Sequence, residues 1–171
     1  MILSIIYAQD RSLIFTTGAP LGTCIPSNNP CNTDSDCSLG ESCDPPEFHT
    51  IEFNGTTVNS LSDRIYINNN MVLEALKIYA KANTAPAMAR VVLQSDEGGL
   101  PGEEIYSWTL DVEEENHGNN YFLIVTTDLC IYLDADKYYW LTLHSEDTDS
   151  QILWYYSNNE TFTYSTSSDQ G

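Results

Sequence analysis

Short apolar stretches separated by turn-forming residues are the feature that most constrains the fold of this chain. From residue 47 onward, segments rich in Ile, Val, Tyr and Trp alternate with breaks such as NNN, DEGGLPG and EENHGNN. β-Branched and aromatic residues favour strands, and many short strands at this spacing are typical of a sandwich or barrel. We therefore predict that residues 47–171 form an all-β domain, an antiparallel, jelly-roll-like β-sandwich. Its predicted strands are HTIEF, RIYI, VLEALKIYAKA, ARVVLQ, IYSWTL, YFLIVTT, CIYL, YYWLTLH, QILWYYS and TFTYS.

One of these stretches, VLEALKIYA, also fits a helix, because Val72, Leu76 and Tyr79 recur at helical spacing. As a strand, it places Leu76, Ile78 and Ala80 on one face and both lysines with Tyr79 on the other. We predict a strand, because the neighbouring segments are all β and the lysines would keep one face of a sheet in water.

Four of the five cysteines crowd into a turn-rich segment, and the fifth, Cys130, lies far downstream. The four are Cys24, Cys31, Cys37 and Cys43. The segment has no CxxC pair and no histidine beside the cysteines, which favours disulfides over a zinc site. We therefore predict a disulfide-braced loop region over residues 23–46 and a secreted or cell-surface location. The pairing stays open, and Cys130 is a free thiol, a link to another chain or, if it points inward from a strand, a buried thiol.

The chain begins with the apolar stretch MILSIIYA, part of a strand-prone arm over residues 1–22. One interpretation is the tail of a secretion signal cleaved near Ala8, although the stretch lacks a charged first region and is short for such a signal. The other is a strand donated to a neighbouring copy, since a free apolar strand pairs readily with an open sheet edge. The donated residues would be Ile2, Leu3, Ile5, Ile6 and Tyr7, extended by Leu13, Ile14 and Phe15.

The charge of the chain is strongly negative. Lys and Arg total 6 and Asp and Glu total 25, which gives a formal net charge of −19. Binding to nucleic acid or to anionic membrane surfaces needs clustered Lys and Arg, so this charge argues against both partners. No apolar run approaches 20 residues, so we also predict no membrane insertion. Solubility, high salt and binding of multivalent cations all remain as explanations.

Several acidic loops are candidate sites for calcium, which prefers clustered oxygen ligands. The segment NTDSD resembles the opening of a calcium loop, but Cys37 and Cys43 stand where Gly and a final acidic residue are needed, so it is not an EF-hand. Asp side chains that cap turns are the alternative. Loops at 134–136 and 146–149 flank one predicted strand and should lie at its opposite ends. The candidate ligands are Asp34, Asp36, Asp134, Asp136, Glu146, Asp147 and Asp149.

Aromatic side chains give a second candidate site, because sugar C–H faces stack on exposed rings. A carbohydrate platform would use Tyr138, Trp140 and Trp154, and core packing is the alternative for the same rings. Asn54 and Asn159 open two glycosylation sequons. The sequence contains no GxSxG, HExxH, GxGxxG or P-loop motif, so we predict that the protein is not an enzyme.

Three segments, taken in order, resemble a known family. They are ALKIYAKANTAPAMARVVLQSDEGGLPGEEIYSWTL, LDADKYYWLTLHSED and ILWYYS. Their order resembles a secreted β-sandwich module of bacterial and archaeal surface proteins, which is attached to varied anchoring segments. The resemblance covers residues 70–157 and implies the sandwich fold. It departs at one turn, where the family usually has Gly before an aromatic pair and this chain has Asp134-Ala135-Asp136-Lys137.

These features predict a non-catalytic extracellular structural protein. Copies would assemble into a filament or surface layer by donating the N-terminal strand, with calcium offsetting the repulsion between acidic subunits. The predicted partner is therefore the chain itself, as a homopolymer. A carbohydrate- or surface-binding module, with a glycan as partner, is the alternative.

Overall fold

A computed structural model describes residues 12–16, 22–31, 34–44, 48–53, 59–83, 86–112, 122–125, 129–147, 150–155 and 164–167. These residues form fifteen strands and one 3-10 turn, Asp34–Asp36. The strands are β1 (Ser12–Thr16), β2 (Gly22–Ile25), β3 (Pro30–Cys31), β4 (Ser42–Asp44), β5 (Phe48–Phe53), β6 (Ser60–Ile67), β7 (Met71–Ile78), β8 (Ala80–Ala82), β9 (Ala87–Glu97), β10 (Leu100–Val112), β11 (Phe122–Val125), β12 (Ile131–Leu133), β13 (Lys137–Ser145), β14 (Ser150–Tyr155) and β15 (Tyr164–Ser167).

The largest sheet has five antiparallel strands in the order β10-β9-β13-β6-β15. β13 lies at its centre, where Leu141 is paired with Leu93 of β9 on one side and with Asp63 of β6 on the other. From Tyr139 to Ser145 every residue of β13 is buried. β13 is therefore covered on both faces, and its polar residues Thr142, His144 and Ser145 are buried together with its apolar ones.

The segment VLEALKIYA, whose sequence fits both a helix and a strand, contributes to two smaller sheets. β7 pairs with β1, β11 and β12, and β8 joins β14 and β5 in a three-stranded sheet. The strand prediction for VLEALKIYA is therefore confirmed. Its two predicted faces agree with the structure, since the apolar core includes Leu76, Ile78 and Ala80 but not Tyr79. The Tyr79 ring centroid lies 5.5 Å from Lys77 Nζ, and Tyr79 is buried, not exposed to water. Tyr79 lies between β7 and β8, where the chain leaves one sheet for the next.

One apolar core joins the three sheets. It includes Leu93 and Leu141 from the five-stranded sheet, Leu76 and Ile78 from β7, and Ile152 from β14, each with no more than 1% of its surface exposed. Burying each side chain of this size stabilises the fold by about 1.5–3 kcal/mol. The predicted all-β class and its antiparallel sheets are confirmed, whereas the jelly-roll connectivity stays a prediction. The described residues contain no helix that could cross a bilayer.

The Cys-rich segment forms a small sheet of its own, with β2 between β3 and β4. Disulfides join Cys24 to Cys37 and Cys31 to Cys43, which confirms the predicted disulfides and resolves their pairing. Gly22 is required at the start of β2, because a Cβ atom there would lie 2.2 Å from the carbonyl oxygen of Asp44. The two bridges indicate an oxidising compartment. The predicted domain boundaries on either side of the segment stay predictions.

Candidate functional site

The predicted assembly segment includes the residues of β1, and the structure pairs β1 with β7. Ser12 pairs with Val72 and Thr16 with Lys77, and the two strands run parallel. Every other strand pair among the described residues is antiparallel. A shift of register after Leu13 leaves Glu74 of β7 without a partner in β1. This bulge marks an irregular ladder.

Among the described residues, β1 is the outermost strand of its sheet. The other side of β7 is already occupied, by β12 along its first residues and by β11 along its last. β7 itself belongs to the core, since Leu73 and Leu76 have at most 1% of their surface exposed. β1 therefore covers the backbone of a core strand, and removing it would leave a row of unpaired N–H and C=O groups.

The structure describes some of the predicted assembly residues and not others. Leu13, Ile14 and Phe15, the predicted extension of the donated segment, lie in β1. The predicted donor residues themselves lie outside the described residues; they are Ile2, Leu3, Ile5, Ile6 and Tyr7. Asn54 and Asn159 of the sequons also lie outside them.

The predicted calcium ligands of the Cys-rich segment lie in the 3-10 turn. A carboxylate oxygen of Asp34 accepts a hydrogen bond of 2.7 Å from the backbone N–H of Cys43, and the Cys37 N–H donates to the Asp34 carbonyl oxygen. Asp34 thus ties the turn to β4 beside a disulfide. Asp36 is exposed on the same turn.

The acidic residues around β13 lie at its two ends, as predicted. At one end, Asp134 accepts a hydrogen bond from Lys137, and Asp136 accepts one of 2.9 Å from the Tyr66 hydroxyl. The hydrogen bond with Asp134 raises the pKa of Lys137, and the hydrogen bond with Asp136 raises that of Tyr66. Both donors therefore keep their protons over the neutral range.

At the other end of β13, the loop is fixed to β9. The Glu146 N–H donates to the carbonyl oxygen of Met88, and the Met88 N–H donates to a carboxylate oxygen of Asp147. Asp149 lies outside the described residues. Among the described residues, the one group of three potential metal ligands close together is Cys24, Cys31 and Cys37, whose sulfurs are already in disulfides. Calcium binding by the acidic loops stays a prediction.

The predicted carbohydrate platform does not form as proposed. Trp140 and Trp154 have 1% and 4% of their surface exposed, so neither presents a ring face to a ligand. Trp154 packs in the core, and Trp140 is buried on the opposite side of the five-stranded sheet. Tyr138 is 43% exposed and is the member of the trio that a ligand can reach.

Asp96 on β9 is the residue that fixes Trp140, and sequence reasoning did not identify it. One carboxylate oxygen of Asp96 accepts hydrogen bonds from the Trp140 indole N–H (2.9 Å) and from Arg64 Nε (2.8 Å). The other accepts the Gly99 N–H at 3.2 Å. The guanidinium carbon of Arg64 in turn lies 3.8 Å from the centroid of the Tyr138 ring. The alternation in RIYI places Arg64 and Tyr66 on one face, but only the sheet order brings Asp96 beside them.

A row of buried polar side chains continues along the same side of the sheet. The hydroxyls of Ser62 and Thr142 lie 2.8 Å apart, and Thr142 donates to the Gln94 side-chain oxygen at 2.5 Å. Gln94 then donates to the carbonyl oxygen of Gly102 at 3.0 Å. Burial, with a contribution from Arg90, lowers the pKa of His144 at the end of this row, so the imidazole is neutral at pH 7. The paired groups, Ser62, Thr142 and Gln94, make the sheet more rigid, whereas Nδ1 of His144 is buried without a hydrogen-bond partner among the described residues.

Replacing Asp96 by Ala should destabilise the fold by about 2 kcal/mol, because it leaves the buried Trp140 N–H and the Arg64 guanidinium without their acceptor. Burial raises the pKa of Asp96, but the hydrogen bonds from Arg64, Trp140 and Gly99 together hold it below its ordinary value of 3.8. A lowered pKa stabilises the folded state above the ordinary value, and this stabilisation is lost as pH falls through the lowered pKa. Urea unfolding at pH 7 and below pH 4 measures both effects: the difference between wild type and Asp96→Ala should shrink in acid. An undiminished difference would contradict the assigned role of the carboxylate.

No protein-family model matches this chain, and no curated protein matches its sequence. The resemblance of residues 70–157 to a secreted β-sandwich module therefore stays a prediction. The functional proposal rests on the geometry described above.

Proposed function

We propose that this chain is a non-catalytic, extracellular structural protein whose copies assemble by exchanging the N-terminal strand. The observation that carries the proposal is the parallel pairing of β1 at the outer edge of β7. Among the strands that the structure describes, β1 lies at the edge of its sheet, with β7 as its neighbour. Such a strand is the kind of element that another copy can replace.

Strand exchange conserves the hydrogen bonds that β1 makes within one chain. A β1 strand from a neighbouring copy would meet the same β7 edge in the same register, so the exchange costs little beyond the constraint on the connecting segment. If each copy gives its strand to the next and receives one from the previous copy, the contact is head-to-tail. Such contacts produce a filament or a layer unless the rotation happens to close a ring.

The chemistry of the rest of the chain supports an extracellular, non-catalytic role. Two disulfides are stable outside the reducing cytosol. The sequence carries no catalytic motif. A net charge of −19 on each copy makes the subunits repel each other, and calcium in the acidic loops would reduce that repulsion. In this proposal the exchanged strand completes a jelly-roll-like sandwich in the receiving copy.

Removing residues 1–16 should convert an assembling chain into a monomer with a vacant β7 edge. Sedimentation velocity and electron micrographs of the full chain and the deletion variant measure this directly. A labelled peptide of residues 1–16 should then bind the deletion variant, whereas a peptide of the same composition in scrambled order should not. Electron micrographs of the full chain with a calcium chelator show whether assembly also depends on calcium.

Thermal melting followed by circular dichroism establishes that the deletion variant is folded before it is compared. A folded deletion variant that still assembles like the full chain would overturn the proposal. Assembly that persists in chelator would remove calcium from the mechanism and leave strand exchange in place.

A further inference from the structure

A groove of about 610 Å³ opens where β12 leads into β13. This volume is in the range of pockets that hold small organic ligands. The groove combines exposed apolar side chains with carboxylates and one amine. The lining residues that matter here are Ile105, Tyr132, Asp134, Asp136, Lys137 and Tyr138.

Two tyrosines give the groove its apolar surface. Tyr132 is 71% exposed although both its neighbours on β12 are buried, and Tyr138 is 43% exposed at the start of β13. Ile105 of β10 adds an aliphatic surface that is 41% exposed. Aromatic rings exposed in this way offer flat faces against which the C–H groups of a ring-shaped ligand can pack.

The Tyr138 ring is held in place before any ligand arrives. Arg64 lies over it at 3.8 Å, and the ring of Tyr66 lies with its centroid 4.9 Å away. Arg64 is itself fixed by the ion pair with Asp96, at 2.8 Å. A ring that is already ordered loses little conformational entropy on binding, which favours affinity for a weakly bound ligand.

The carboxylates in the groove are ordered hydrogen-bond acceptors. Asp136 is held by the Tyr66 hydroxyl, and Asp134 by Lys137. Asp136 has a φ of +57°, a conformation in which Gly is the favourable residue and Asp is one of the few tolerated alternatives. The backbone of this turn therefore does not require a carboxylate, yet the turn carries one that faces the groove.

We propose that this groove binds a neutral saccharide. Pyranose rings present apolar C–H faces, which suit Tyr132 and Tyr138, and hydroxyl groups, which donate to Asp134 and Asp136. An acidic sugar is disfavoured, because both carboxylates and the net charge of −19 repel it and Lys137 is already paired with Asp134. A bare cation would leave the tyrosine and isoleucine surfaces unused. This site does not depend on strand exchange.

The test screens the full chain against an array of neutral oligosaccharides, with oligogalacturonate as the acidic counterpart, and measures the best neutral ligand by titration calorimetry. Tyr132→Ala and Tyr138→Ala should each weaken binding about tenfold. Asp136→Gly, which suits the backbone, should weaken it more than Asp136→Asn, which keeps an acceptor oxygen. Tyr106→Ala removes an exposed tyrosine outside the groove and should leave affinity unchanged.

Melting curves verify that each variant is folded. Binding that depends on Tyr132, Tyr138 and Asp136 but not on Tyr106 supports the site. The proposal is overturned if no neutral oligosaccharide binds, if oligogalacturonate binds more tightly, or if the groove variants bind as well as the wild type.

Discussion

Serine at all four positions of the two disulfides should unfold residues 22–44 while the five-stranded sheet stays folded. The strands of this segment are two to four residues long and pair only with one another among the described residues. The apolar side chains buried there are those of Cys24 and Cys31, with 0% and 2% exposed. The bridges are thus both the cross-links and the interior of the segment.

Each bridge closes a short loop, with sequence separations of 13 and 12 residues. Loops of this length correspond to about 3 kcal/mol of stabilisation per bridge. The hydrogen bonds of β2 with β3 and β4, together with the Asp34 cap, cannot offset the loss of both. A variant that lacks only the Cys24–Cys37 bridge should be intermediate.

Hydrogen exchange measured by mass spectrometry separates the two regions of the chain. In the four-serine variant, amides of β2 and β4 should exchange at the rate of an unfolded chain, and those of β9 and β13 should keep their protection. Cys130→Ser is the matched control, because Cys130 is in neither bridge. Wild-type protection of β2 and β4 in the four-serine variant would mean that contacts other than the disulfides hold this segment.

Local sequence pattern predicted the strands well. Each of the ten predicted stretches overlaps an observed strand, because alternation and β-branched content are properties of a few consecutive residues. The start of β6 was predicted incorrectly. The prediction began at Arg64, but the strand starts at Ser60, and Ser60, Ser62 and Asp63 are buried. Polar residues are accommodated there because β6 lies between β13 and β15.

The candidate sites were harder to predict, because they depend on which strands are neighbours. The alternation of side chains along a strand puts Tyr138 and Trp140 on the face of β13 opposite Tyr139, which lies in the core. It could not reveal that Trp140 is buried and donates a hydrogen bond to Asp96, which is 44 residues away in sequence. The short strands of the Cys-rich segment were missed for a similar reason, since the disulfides and not local propensity hold them together.

The second prediction with a large expected effect concerns whether β1 pairs with β7 of its own chain or with β7 of a neighbouring copy. Ser12 and Val72 are paired across the β1–β7 ladder. Neighbouring strands lie about 4.8 Å apart, and the Cα atoms of a disulfide are about 4.4–6.8 Å apart, so cysteines at these two positions can be bridged. Thr16, four residues further along β1, pairs with Lys77, which is five residues beyond Val72 because of the bulge. A cysteine at position 16 would therefore be about 13 Å out of register with position 72 and serves as the matched control.

The most direct test of strand exchange mixes two chains that each carry one new cysteine, Ser12→Cys in one and Val72→Cys in the other, both with Cys130→Ser. The mixture is oxidised under assembly conditions and analysed on non-reducing gels with peptide mapping. Strand exchange predicts a cross-linked pair joined through positions 12 and 72, and a covalent ladder from a single chain that carries both changes. The pair Thr16→Cys with Val72→Cys should give neither. If the mixture yields no link between chains and the double variant forms only an internal bridge, β1 stays in its own chain and the proposed mechanism of assembly is wrong.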